Sequence, residues 1–208
     1  MFVVGDYIIS PSTYNAYSGN TRGGTSWAGR AVAEIPLSSM TWMVEADARQ
    51  YSFGHPAGFT TTIGGGTTFV PGFTGSNRDL DLRLGLRVAN PRLYIGVGYL
   101  WQNTSYGYPQ QSGIGFGAEK LPDLNNTLSW YGSAYYYPTV KGNFIDATSG
   151  LGYTVGYRVL KTNIGITYNV FNPVFIDLSV QAERGYPFAA SPVGYVQWGP
   201  AVGIGVHF

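Results

Sequence analysis

The chain has 208 residues, of which only 11% are charged, whereas roughly 25% are charged in a typical soluble domain. Its net charge of +1 provides no basic stripe for nucleic acid, and the lack of cysteine excludes disulfide scaffolds, thiol catalysis and cysteine-based zinc sites. Thirty glycines and 33 aromatic residues (17 Tyr, 11 Phe, 5 Trp) favour strands and tight turns, so we expect one all-β domain over residues 1–208.

The N-terminal half of the chain alternates with the period of a β-strand. A first strand is predicted at residues 2–10. The next three strands carry charge on one face and apolar side chains on the other, and they lie at 26–37, 41–51 and 78–88. In the last of these, Asp79, Asp81 and Arg83 alternate with leucines, which raises the question of which face meets water.

The C-terminal half replaces most of this charge with tyrosine, serine and glycine. Strands are predicted at 92–102, 113–121 and 127–137, and a further charged strand at 174–184. Residues 151–170 are ambiguous, because apolar residues occupy odd positions first and even positions later. We favour one long strand with a bulge near Lys161 over a tight turn that divides it. The total is about ten strands, with eight as the alternative.

Short and long connections alternate along the chain. The short turns contain SSM, NPR, PDLNN and NPV, and the Asn-Pro pairs stop a strand because proline fixes φ and lacks an N–H. The long links are rich in Gly, Ser, Thr and Tyr, and they lie at 10–25, 53–77, 103–112, 139–150 and 185–194. This alternation predicts an antiparallel up-and-down β-barrel.

Period-two amphipathicity fits a soluble barrel with an apolar core or a transmembrane barrel with an apolar outer wall. Strands of about ten residues and a low charge content favour the transmembrane barrel. Tryptophans stand at the ends of apolar rows, as an aromatic girdle requires: Trp27, Trp42, Trp101, Trp130 and Trp198. The sequence has no run of about 18 consecutive apolar residues, so no transmembrane helix is predicted.

In a transmembrane barrel the charged faces point into the lumen. The predicted lumen-lining charges are Arg30, Glu34, Glu45, Asp47, Arg49, Asp79, Asp81, Arg83, Arg87, Asp177 and Glu183. We expect this nearly balanced set to form salt bridges that narrow or close a lumen of eight to ten strands.

The last segment, AVGIGVHF, places Val202, Ile204, Val206 and Phe208 on one face. It resembles the C-terminal insertion signal of bacterial outer-membrane β-barrel proteins. The resemblance implies export, insertion by the barrel-assembly machinery, contact with outer-membrane lipid, periplasmic turns and outer loops. Two features depart from this pattern: Pro200 interrupts the apolar row, and MFVVGDYIIS reaches Asp6 too soon for a signal peptide. We expect that a signal peptide has been removed.

Residues that could carry chemistry are few. His55 is predicted in a loop and His207 at a strand end, and no catalytic, cofactor or metal-ligand motif includes them. The carboxylates at 45/47 and 79/81 have the spacing of an acid/base pair, but nearby arginines make ion pairing the better interpretation. We therefore expect no enzyme activity and no cofactor.

The sequence predicts a structural or narrow pore-type outer-membrane barrel. The alternative is a binding, adhesion or complex-forming scaffold protein that acts through its loops, in which Tyr14, Tyr17, Tyr51, Tyr106 and Tyr108 offer a large contact area. An outer-rim hydrolase is the least favoured hypothesis. No pattern predicts a ligand or an oligomeric state.

Overall fold

The computed structural model describes residues 1–15, 19–55, 57–61, 67–105, 109–145, 150–189 and 194–208. Within these ranges the chain forms strands β1 (Phe2–Ile8), β2 (Ser12–Asn15), β3 (Gly19–Arg22), β4 (Ser26–Leu37), β5 (Met40–His55), β6 (Gly58–Thr61), β7 (Thr67–Val70), β8 (Phe73–Ala89), β9 (Leu93–Thr104), β10 (Gln111–Lys120), β11 (Leu128–Ile145), β12 (Gly152–Phe171), β13 (Val174–Ala189) and β14 (Tyr195–His207). No helix among the described residues is long and apolar enough to cross a membrane.

Ten of these strands form a closed antiparallel ring. The order is β1-β4-β5-β8-β9-β10-β11-β12-β13-β14, and β14 pairs back onto β1, with Phe2 opposite His207. Each ring strand is hydrogen-bonded on both sides, so the ring has no free edge. The predicted antiparallel up-and-down barrel is confirmed, with the predicted number of ten strands.

The segments predicted as long loops contain much regular structure. Hairpin β2–β3 extends the sheet beyond β14, and β6–β7 forms a second hairpin. Strands β11 and β12 are 18 and 20 residues long. No strands were predicted in these links, because threonine and tyrosine favour strands even where both faces are polar and no period-two contrast marks them.

Strand β12 corrects the prediction of a bulge near Lys161. Its register against β13 is unbroken from Val155 to Asn169, and the odd positions over this range are buried or half-buried on the inner face. The parity appeared to change because Val155 and other apolar residues of its first half lie in an interior apolar cluster. The irregularity lies in the neighbouring strand β11, between Tyr137 and Val140.

Pro200 occupies an exposed position in β14, whose register against β13 is regular. The irregularity lies in the facing chain: Ile8 pairs with Ala201 and Ser12 with Trp198, so residues 9–11 are opposite two residues of β14. The Pro200 carbonyl accepts a hydrogen bond from Ile9 at 2.7 Å. The missing proline N–H therefore falls where the ladder is already interrupted.

Candidate functional site

Arg83 of β8 is the centre of an ion-pair network inside the ring. Its Nη1 lies 2.8 Å from Glu45 Oε1 and 3.4 Å from Glu119 Oε2, while Nη2 lies 2.8 Å from Asp81 Oδ2 and 3.4 Å from Asp47 Oδ2. All five side chains are buried. These acids come from β5, β8 and β10, so one guanidinium connects three strands through charge-assisted hydrogen bonds.

Two further bases extend the network towards the loop end of the ring. Arg49 donates from Nε and Nη2 to the two carboxylate oxygens of Asp47, both at 2.9 Å. Lys161 of β12 bonds Asp79 and lies 3.6 Å from Asp47 Oδ1 and Asp81 Oδ2. Because β12 lies across the ring from β5 and β8, these contacts span its interior.

Aromatic rings enclose the charges. The Arg83 guanidinium lies 4.2 Å from the centroid of the Tyr135 ring, and the Tyr137 hydroxyl donates to Asp81 at 2.5 Å. Arg30 forms a salt bridge with Glu119 at 3.1 Å, and its guanidinium lies 4.5 Å from the centroid of the Tyr131 ring. Cation–π contacts of this kind gain strength where water is excluded.

The buried interior is acid-rich, whereas a near balance was predicted. Among the described residues the buried acids are Asp6, Glu45, Asp47, Asp79, Asp81, Glu119, Asp177 and Glu183, and the inward-facing buried bases are Arg30, Arg49, Arg83 and Lys161. Neutral donors hold some of the excess: the Tyr131 hydroxyl donates to Asp177 at 2.7 Å, and Gln102 and the Tyr195 hydroxyl both donate to Glu183 at 2.6 Å.

Apolar layers lie on both sides of the charged layer. The cluster at the turn end comprises Phe2, Val4, Val32, Met43, Tyr94, Leu121, Leu124 and Phe175. Leu121 was predicted to end the strand at 113–121, and Leu124 lies in PDLNN, which was predicted as a short turn. Both leucines instead lie in the link that follows β10 and pack into the turn-end cluster. The loop end contains two clusters, which comprise Leu100, Tyr135, Tyr137, Val140, Val155, Tyr157 and Val159, and Ile8, Ala28, Tyr51 and Ala201.

Two of the eleven predicted charges lie at the turn-end rim instead of in the central network. Glu34 accepts hydrogen bonds from Arg92 Nε at 3.2 Å and from the Tyr94 hydroxyl. Arg87 donates to Asn90 at 2.7 Å. Both predicted residues are half-buried, while the other nine are buried.

The outer wall of the ring is apolar. Leu80, Leu82 and Leu84, which alternate with the network charges of β8, are 42 to 44% exposed, and Ile164 and Ile204 are 65 and 67% exposed. Continuous apolar exposure around a closed ring far exceeds the patches found on soluble monomers and matches a hydrocarbon environment.

Tryptophans mark the borders of this wall. Trp42 and Trp130 lie near the turn end, and Trp27, Trp101 and Trp198 lie near the loop end. Trp27 is paired with Gln50 of β5, the strand that also contains Trp42. The eight residues from Trp42 to Gln50 span roughly 20 Å along the barrel axis, which is close to the height of the apolar band of a membrane barrel. The geometry is that of a transmembrane β-barrel.

The comparison with solved structures finds bacterial proteins to which the chain is similar at low sequence identity. The chain is similar to Neisserial surface protein A, with 13% identity, a TM-score of 0.43, and coverage of 100% of this chain and 96% of that one. It is similar to the outer membrane protease OmpT from Escherichia coli, with 9% identity, a TM-score of 0.45, and coverage of 100% of this chain and 96% of that one. It is also similar to the translocator domain of autotransporter NalP from Neisseria meningitidis, with 13% identity, a TM-score of 0.45, and coverage of 100% of this chain and 88% of that one. The likeness concerns the fold alone. No family model and no curated protein matches the sequence.

Sequence reasoning missed two charged members of the network, Glu119 and Lys161. Glu119 ends the inward row of β10, in which glycines replace the polar residues that mark other strands, so its face carried no charge pattern. Lys161 was hidden by the apolar residues on its own face. The contacts of Tyr135 with Arg83 and of Tyr137 with Asp81 were not predicted either, because they join strands that are distant in sequence.

The structure also locates the two histidines and some of the tyrosines predicted in the loops. His55 ends β5 at the loop end and His207 ends β14 at the turn end, so the two lie at opposite ends of the barrel. Tyr51, predicted in an adhesive loop surface, is instead fully buried inside the ring. Tyr17, Tyr106 and Tyr108 lie outside the described residues, as does the side chain of Tyr14.

Proposed function

We propose that the chain is a structural outer-membrane β-barrel whose lumen is closed by its ion-pair network, so that it forms no open pore. The single observation that supports this proposal is the burial of Arg83, Glu45 and Asp81, whose side chains are 0% exposed. A side chain that lines an aqueous channel retains contact with water. These three charges instead lie among other protein groups.

The packing of tyrosines over glycines supports the same proposal. A methyl group at Gly117 would lie 2.6 Å from Cγ of Tyr135, and one at Gly98 would lie 2.6 Å from the Tyr137 hydroxyl. The missing side chains on β9 and β10 let these rings extend across the interior. A cavity at the loop end has a volume of about 40 Å³, which has room for only a few water molecules.

Planar-bilayer recording tests the closed lumen. We expect the wild-type barrel to give no steady ion current, because the charged layer and the apolar layers leave no continuous water path. A double substitution, Tyr135→Ala with Tyr137→Ala, removes the rings that cross the interior and should produce measurable current. Folding of each protein is checked by its heat-modifiable gel shift. Stepwise steady current from the wild type would contradict closure and favour a narrow pore.

We also propose that the outward row Val202, Ile204, Val206 and Phe208 serves as the signal for the barrel-assembly machinery. Ile204 and Phe208 are 67 and 76% exposed, so the row lies on the lipid-facing side at the turn end. Contact with outer-membrane lipid and with this machinery would use the same residues.

Replacement of Phe208 tests this role. Phe208→Ala should lower the amount of assembled barrel in cells several-fold, while folding into detergent in vitro stays unchanged. Phe171→Ala is the matched control, since Phe171 is a 63%-exposed phenylalanine at the same end of the barrel. Equal assembly of the two variants in cells would argue against a signal at Phe208.

A further inference from the structure

Three exposed bases form a patch on the outer wall near the loop end, and we call it the basic patch: Lys141 of β11, Arg158 of β12 and Arg184 of β13. In the sheet, Lys141 is paired with Gly156, which is two residues from Arg158. Arg184 is paired with Leu160, which is two residues from Arg158 on the other side. Diagonal neighbours on one face of a sheet lie roughly 7–8 Å apart, so these long side chains can reach one common group.

No described acid balances the charge of the basic patch. None of the salt bridges among the described residues includes any of the three bases. Of the eleven acids in the sequence, eight are buried inside the ring, and Glu34 and Asp123 lie at the turn end. The eleventh, Asp146, lies outside the described residues. The positive field of the patch therefore favours an anion from outside the chain.

The basic patch follows the border that the tryptophans mark at the loop end. Across five strand pairs, the row of paired residues through Trp198 reaches Ile95 of β9, whereas Trp101 lies six residues closer to the loop end. The border therefore rises by about one residue per strand from β14 to β9. From β13 to β11, the three bases lie two, four and six residues beyond the same row. They thus stay just beyond the tryptophans, at the level of lipid head groups.

An apolar groove of about 490 Å³ lies on the same three strands, on the turn-end side of the basic patch. Five apolar side chains line it: Trp130, Ile164, Ile166, Leu178 and Val180. Between the groove and the patch, one outward row carries the small side chains of Ala134, Thr162 and Ala182. The six residues from Arg184 to Leu178 span roughly 15 Å along the axis of a tilted barrel, about half the thickness of a hydrocarbon core. The groove therefore extends about as far as one leaflet.

We propose that the basic patch and the groove together bind one anionic lipid of the leaflet at the loop end, with its phosphate group on the patch and an acyl chain in the groove. Arginine suits this role because its guanidinium can bind phosphate with two parallel hydrogen bonds. The Arg184 guanidinium lies 4.4 Å from the centroid of the Tyr186 ring, and Tyr186 is paired with Arg158, so one ring lies beside both arginines. The inference rests on the proposed place of the barrel in a membrane but not on its closed lumen.

Native mass spectrometry of the full chain, folded in detergent and titrated with lipid, tests the site. We expect one phosphatidylglycerol to bind at least about tenfold more tightly than phosphatidylcholine with the same acyl chains. Each of Lys141→Gln, Arg158→Gln and Arg184→Gln should weaken phosphatidylglycerol binding about fivefold, the effect of one base near an anionic lipid surface. The triple variant should weaken it at least about tenfold and lose the preference between the two lipids.

Controls separate the lipid site from general charge and from a site for free phosphate. Arg78→Gln removes an exposed arginine of β8, two residues beyond the partner of Trp101 and outside the patch, and should bind phosphatidylglycerol like the wild type. Ala182→Phe fills the row between patch and groove without a change of charge, and it should weaken phosphatidylglycerol binding. Inorganic phosphate in excess should not displace the lipid.

Several results would overturn the proposal. Equal affinity of the wild type for the two lipids, or unchanged affinity in the triple variant, would remove the basic patch as a lipid site. Displacement by inorganic phosphate, or full binding by Ala182→Phe, would indicate a site for a free anion instead of a lipid. Each variant is first shown to fold by its gel shift, and the single variants decide if the triple variant does not fold. These results leave the closed lumen untouched, since bilayer current tests it separately.

Discussion

Replacing Arg83 with alanine is expected to lower the free energy of unfolding by about 3–5 kcal/mol, the range for a buried charge left without its partner. The substitution removes one guanidinium and leaves four buried acids without their shared partner: Glu45, Asp47, Asp81 and Glu119. Urea unfolding of the barrel in lipid vesicles, followed by tryptophan fluorescence, measures the loss.

Two further variants show that the effect depends on the position and shape of Arg83. Arg78→Ala removes an exposed arginine from the same strand and should change stability by less than about 0.5 kcal/mol. Arg83→Lys should recover only part of the loss, because an ammonium group cannot reproduce the fork that contacts acids of three strands. If Arg83→Ala proves as stable as Arg78→Ala, the network does not hold the interior together.

The fold could be predicted because alternation and turn spacing are local properties. In β8, Asp79, Asp81 and Arg83 are each followed by a leucine, and this pattern fixes both the strand and its two faces. The Asn-Pro pairs at 90 and 172 correctly predicted the ends of two strands, because β8 ends at Ala89 and β12 ends at Phe171. Nine of the eleven charged residues chosen by face are buried inside the ring.

The contacts within the interior could not be predicted because they join strands far apart in sequence. Lys161 bonds Asp79 across the ring. The pattern of one strand carries no information about the diameter of the ring or the register between strands, so it could not predict this contact. Asp6 was assigned to a strand without a role, since its partner Asp177 becomes its neighbour only when β14 closes onto β1. The inward position of Leu124 in the predicted turn PDLNN was missed for a similar reason, because a turn that folds inward has the same sequence features as any other turn.

The orientation of the wall gives the second large effect. Leu82→Arg should cost about 2–4 kcal/mol in lipid vesicles, because Leu82 is paired with Ala46, midway between Trp42 and Gln50, and the substitution places a full charge near the middle of the hydrocarbon band. Leu93→Arg is the matched control: Leu93 is similarly exposed, at 38 against 44%, but it begins β9 at the turn end. There the charge reaches the interface, and the expected cost falls to about 0–1 kcal/mol.

The difference between the two leucines decides between lipid and water around the barrel. If the wall faced water, an arginine at either exposed position would be tolerated within about 0.5 kcal/mol, since surface substitutions away from special features have little effect. A cost that depends on depth arises only when hydrocarbon surrounds the middle of the wall. Urea unfolding of both variants in the same vesicles makes the comparison, and equal small costs would show that the leucine rows do not face lipid.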